Sequence, residues 1–232
     1  ISIIIRKKNY LCSWKIVYSM KKIGLVIILV MLMIIPVTAQ VTWGVRGGLA
    51  YSSLVQKIDN NYQSGARFGF SVAGLTQIPL YKRLSLQPEV AFVHQGGNYL
   101  SNIPDEDGTG RVYPKTKCNY YSILIPVNLV YTFQFTDVYF SVMAGPAVDF
   151  SLFGKMRTQN VDTDIVFGQS GEADLKTFDL GVNLGLQVEY SNFFFSVSAL
   201  CGTLDRRTSK HDGESSLYQN NVTFSLGYYF RR

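Results

Sequence analysis

Histidine and cysteine are scarce in this chain of 232 residues, which has two of the first and three of the second, and that scarcity removes whole classes of chemistry. No Cys/His cluster carries zinc-ligand spacing. A nucleophile and base that rely on imidazole have only His94 and His211 to draw on. Also missing is an apolar run as long as the roughly 20 residues a spanning helix needs. Acidic residues are absent from the first 39 positions, where Arg6, Lys7, Lys8, Lys15, Lys21 and Lys22 stand, so the remaining chain is balanced at 16 basic and 16 acidic residues. The basic pI therefore belongs to the leader, and nucleic acid is not expected as a partner.

What is present begins with MKKIGLVIILVMLMIIPVTAQ. Lys21 and Lys22 precede an unbroken apolar segment, and Pro36 and Ala39 provide a break and a small residue before Gln40. This predicts a secretory signal peptide at 20–39, an upstream extension without structural role at 1–19, and one barrel domain at 40–232. No cysteine stands at the predicted cleavage point, which argues against a lipoprotein. Cys118 and Cys201 fall on non-adjacent predicted strands with opposite facing, so disulfide geometry is not expected between them.

From Gln40 onward the dominant signal has period two. In FDLGVNLGLQVEY (178–190) every even position is bulky and apolar, and every odd one is small or polar. The same alternation recurs at 41–52, 66–78, 84–95, 119–133, 138–152, 192–204 and 221–230, which predicts eight strands. Long connections (53–65, 96–118, 153–176, 205–220) alternate with short ones. The polar face is rich in Gly, Ser, Ala, Asn and Gln and poor in charge, unlike the wet face of a soluble sandwich. Such residues suit the crowded lumen of an eight-stranded barrel, which leaves the bulky face for lipid. The fold expected is all-β: an eight-stranded antiparallel up-and-down transmembrane β-barrel with four long extracellular loops, short periplasmic turns and both termini periplasmic. A ten-stranded ring remains open if 153–176 forms an extra hairpin. Trp43, Tyr131, Phe133, Phe140, Tyr190, Tyr228 and Phe230 are expected to form an aromatic girdle at the turn end, with a second girdle at the loop end.

WGVRGGLAYSSL after the leader, LSLQPEVAFVHQGG, the Ile-Pro-Val of YYSILIPVNLVY, the Ala-Gly-Pro of VMAGPAVDF and the closing VTFSLGYYF resemble the PorT-type outer-membrane β-barrel proteins. The resemblance implies a bacterial outer-membrane location, assembly through the C-terminal strand by the barrel assembly machinery, and a link to secretion.

By parity, Arg46, Arg67, Glu89, Asp149, Asp179 and Glu189 point into the lumen, with Arg46 and Glu89 at similar mid-barrel depth. An interior salt-bridge network is one reading. A gate latched by Arg46 and Glu89 is the other. His94 points outward, and PDEDGTG (104–110) lacks the closing Glu of a calcium loop. No cofactor, metal or catalytic residue is expected. The leading expectation is a non-enzymatic outer-membrane protein that meets lipid and lipopolysaccharide along its wall and a surface glycan or protein at its long loops. The alternatives are a narrow pore or secretion-apparatus component, and a lipid-modifying enzyme at the rim around His211.

Overall fold

The computed structural model describes residues 41–58, 61–100, 103–104, 111–112, 114–169, 173–208 and 216–231. The expected leader at 20–39 and its upstream extension, most of PDEDGTG and the loop that contains His211 lie outside the described residues. Eight strands form the body: β1 (Thr42–Ile58), β2 (Asn61–Tyr81), β3 (Leu84–Leu100), β4 (Lys115–Phe135), β5 (Val138–Thr158), β6 (Phe178–Tyr190), β7 (Phe193–Gly202) and β8 (Leu217–Phe230). Each pairs antiparallel with its sequence neighbours, and β8 returns to β1 in a register running from Trp43 opposite Phe230 to Gln56 opposite Leu217. Closure leaves the eight-stranded ring without an open edge.

The facing follows from size and polarity. On β6, Leu184 and Leu186 are 51% and 50% exposed, whereas Asn183 and Gln187 are 3% and 2% exposed. The bulky face is therefore outside and the polar face inside. Outward aromatics gather at both ends of the wall. At the turn end, Tyr131, Phe133 and Phe140 form one chain of ring contacts, and Phe193, Tyr228 and Phe230 another. Trp43 and Tyr190 stand exposed on the same end. At the loop end, Tyr51 meets Phe68, Phe92 stacks on Tyr121, and Phe150 meets Phe178.

The strands run further than the bulky alternation suggests. Segment 53–65, expected as a loop, is almost entirely ladder: β1 pairs with β2 as far as Ile58 opposite Asn61. β2 has 21 residues, about twice the 9–11 that a tilted strand needs to cross hydrocarbon. In 153–176, β5 continues to Thr158, turns through Gln159 and Asn160 at φ 48° and 68°, and pairs with a short strand, Val161–Asp164. That strand bonds only to β5 and does not enter the ring, so the ring has eight strands.

The extended tops also reverse their polarity. Leu54, Cys118, Tyr120 and Leu217 turn inward and are buried, while Lys115, Lys117, Lys155 and Arg157 are exposed outside. An apolar interior with a charged exterior is the pattern of a barrel in water. On β4 the pleat runs on unbroken and the solvent outside it changes; on β5 an irregularity between Ser151, opposite Ser122, and Phe153, opposite Tyr121, shifts the facing by one residue and turns Lys155 and Arg157 outward.

Candidate functional site

The lumen brings together most of the singled-out charges, and its contents form successive layers. At the turn end, Leu75, Phe194 and Tyr229 make a buried apolar cluster with the two rings 4.6 Å apart. Gly227 makes room for it: a Cβ there would lie 2.1 Å from Cζ of Phe194. Beside the cluster, the Arg231 guanidinium lies 4.9 Å from the Tyr229 ring centre and donates to Glu189, with a further bond to Gln77 Oε1 at 3.3 Å.

Above this plug lies the charged layer. Arg46 donates to Glu89 Oε1 from Nε at 3.0 Å and from Nη2 at 2.7 Å, and to Ser196 Oγ from Nη1 at 3.2 Å. Asn183 donates to Asn128 Oδ1 at 2.9 Å. An apolar collar that includes Ala50, Ala73, Ala91, Leu124 and Leu200 comes next.

Toward the loop end, Gln95 binds Asp149 Oδ2 at 2.7 Å and Ser122 Oγ at 2.8 Å, and accepts from Asn221 at 3.1 Å. Asp149 and Asp179 stand directly opposite each other on β5 and β6, both buried. Two such carboxylates require a cation nearby. It comes from Arg206, which is fully buried, donates to Ser151 Oγ at 2.6 Å, lies 5.6 Å from the Tyr120 ring centre and is the neighbouring cation of both acids. Backbone bonds hold its segment down, from Arg206 N to Leu217 O and from Lys176 N to Arg206 O, both 2.8 Å. Over this sits an apolar cap, in which Ile165, Leu175 and Phe167 from the connections pack on Leu54, Tyr120 and Leu217.

The structure thus joins Arg46 to Glu89, sets Asp149 beside Asp179, and engages Glu189. Arg67 lies opposite Ser52 in the lumen row, half-buried, and forms no ion pair among the described residues. His94 packs outside against Tyr121 and Phe70, with ring centres 4.8 and 5.6 Å apart. Cys118 and Cys201 are both free, one buried and one exposed. Sequence reasoning missed Arg206 and Arg231. Arg206 lies in a connection, where facing has no period. Arg231 follows the last strand, but its position two residues beyond Tyr229 on the inward parity was a usable signal.

Comparison with known proteins adds a family. The sequence profile described as outer membrane protein beta-barrel domain matches residues 38–202. No curated protein matches. Among solved structures, the chain is similar to Neisserial surface protein A at 11% identity, covering 82% of this chain and 99% of that one with a TM-score of 0.45. It is also similar to Ail, the attachment invasion locus protein of Yersinia pestis, solved in complex with the heparin analogue sucrose octasulfate, at 15% identity, with 83% and 100% covered and a TM-score of 0.44.

Proposed function

Because this chain belongs to the outer membrane protein beta-barrel domain family, we propose that it is a non-enzymatic, non-conducting barrel that works through its loop-end surface. It resides in the bacterial outer membrane, exported by the signal at 20–39 and assembled through its C-terminal strand. The short turns and both termini face the periplasm, and the extended hairpins face outside, toward lipopolysaccharide and a surface glycan or protein. Within the family, the WGVRGG and closing VTFSLGYYF motifs support a reading as a PorT-type member.

One observation carries this reading. The lumen is filled in series by the Phe194–Tyr229 plug, the Arg46–Glu89 layer, the alanine collar and the Arg206-centred network under its apolar cap. A pore needs a continuous wet path, and the apolar plug at one end and the apolar cap at the other each interrupt one. Arg46 and Glu89 accordingly act as an interior brace rather than a latch. The outer wall at the top of β4 and β5, by contrast, carries the exposed cations Lys115, Lys117, Lys155 and Arg157.

Planar-bilayer recording of the purified protein tests the proposal. A silent barrel is expected. Discrete conductance steps in the wild type, altered by Arg46→Ala, would instead establish a pore gated by that pair.

A further inference from the structure

Past the loop-end aromatics, the outer wall of β4 and β5 carries Lys115, Lys117, Lys155 and Arg157, all exposed. Lys117 stands directly opposite Arg157, and Asn119 opposite Lys155. Like charges directly opposite on a ladder cost stability unless an anion comes between them. Arg157 has its answer on the adjoining short strand, where Asp162 accepts from Nε and Nη2, both at 2.5 Å. Asp164 stands opposite Lys155. Four cations therefore face two carboxylates, and Lys115 and Lys117 enter no ion pair among the described residues.

The height of these charges decides what they meet. Tyr121 and Phe153, with ring centres 5.0 Å apart, belong to the aromatic row at the loop end. Lys155 follows Phe153 by two positions and Lys117 precedes Tyr121 by four. At about 3.3 Å per residue and a tilt of about 45°, they lie roughly 5 and 9 Å beyond the row. The polar head-group layer on one side of a bilayer is about 5–8 Å deep. Lys155 therefore stands at the level of the head groups, and Lys117 just above them, where its long side chain reaches back to that level.

We infer that this wall, with Lys117 and Lys155 as its contacts, is a docking surface for the phosphorylated head group of the glycolipid that surrounds the barrel. The inference rests on the reading that the loop end faces outside, and it narrows that surface to one side of the barrel. Phosphate oxygens would bridge Lys117 and Lys155 and relieve the unfavourable Lys117–Arg157 pairing, while the acyl chains lie along Ile123, Ile125 and Val148 below. The turn-end basic residues Lys82 and Arg83 have no such cross-strand array.

Native mass spectrometry of the detergent-solubilised protein tests this, with bis-phosphorylated lipid A and fully dephosphorylated lipid A as probes. The wild type is expected to retain the phosphorylated lipid and to lose the other. Lys117→Glu/Lys155→Glu is expected to weaken retention by about tenfold or more, with Lys82→Glu unchanged. Circular dichroism checks the fold, and Lys117→Gln/Lys155→Gln serves if the charge reversal fails to assemble. Equal retention of both lipids, or retention unchanged in a folded variant, overturns the site. A detergent particle has no leaflets, so this result does not depend on orientation. Labelling of a single cysteine placed in the β1–β2 hairpin on intact cells tests orientation separately.

Discussion

The Arg46 guanidinium holds Glu89 where neither meets bulk solvent, their side chains being 5% and 0% exposed. Removing one partner from such a pair leaves a bare buried charge, which costs far more than the pair contributes. Arg46→Ala is therefore expected to destabilise the barrel by about 3–5 kcal/mol, read from urea unfolding in lipid vesicles. Arg46→Met combined with Glu89→Leu removes both charges at similar volume, and is expected to recover most of that loss. A double variant as unstable as the single one would show that Ser196 and the polar neighbours, not the ion pair, need the charges. This pair was legible in the sequence because both residues lie on strands, where parity gives facing and counting gives depth. The placing of Arg206 as the cation near Asp149 and Asp179 was not, because it comes from a connection, where facing has no period.

At the scale of an element, the strands were legible in the band and mislocated at their tops. SSLVQKI (52–58) does alternate, but with Leu54 inward, so a search for outward bulk ends one residue before it. Facing is read from contrast with the surroundings, and the surroundings change from lipid to water along one strand. The hairpin of β5 with Val161–Asp164 shows the watery regime. There the Arg157 hydrogen bond to Asp162 holds the Asp162 carboxyl below its ordinary pKa, with Lys155 adding to the effect. A carboxyl depressed in the folded state stabilises it above its unfolded pKa, and loses that contribution as pH falls through the folded one. Protection of the Val161–Asp164 amides, relative to their intrinsic exchange rates, is thus expected to fall below about pH 4, and to do so less in Asp162→Asn. Salt is expected to reduce the difference, since both groups are exposed. Protection independent of pH in the wild type would mean that the Gln159–Asn160 turn alone holds the hairpin.

For the whole molecule, the lumen layers act in series, and barriers in series have a consequence that no single layer shows. Opening the turn end by Phe194→Ala and Tyr229→Ala removes the rings of one plug, but leaves the Arg206 network and the apolar cap in place at the other end. Opening the loop end by Tyr120→Ala and Arg206→Ala leaves the Phe194–Tyr229 plug. Each pair alone is expected to stay silent in a planar bilayer, and only the four substitutions together are expected to give discrete steps. Cavities left by Phe→Ala changes cost about 3–5 kcal/mol each, so the combined variant must be recorded after its fold is verified by circular dichroism. Conductance from either pair alone would mean that the other end leaks, and the barrel would have one seal rather than two. If all four together remain silent, the collar of Ala50, Ala73 and Ala91 with Leu124 and Leu200 is itself a barrier to ions, because an apolar constriction of that kind excludes water without closing sterically.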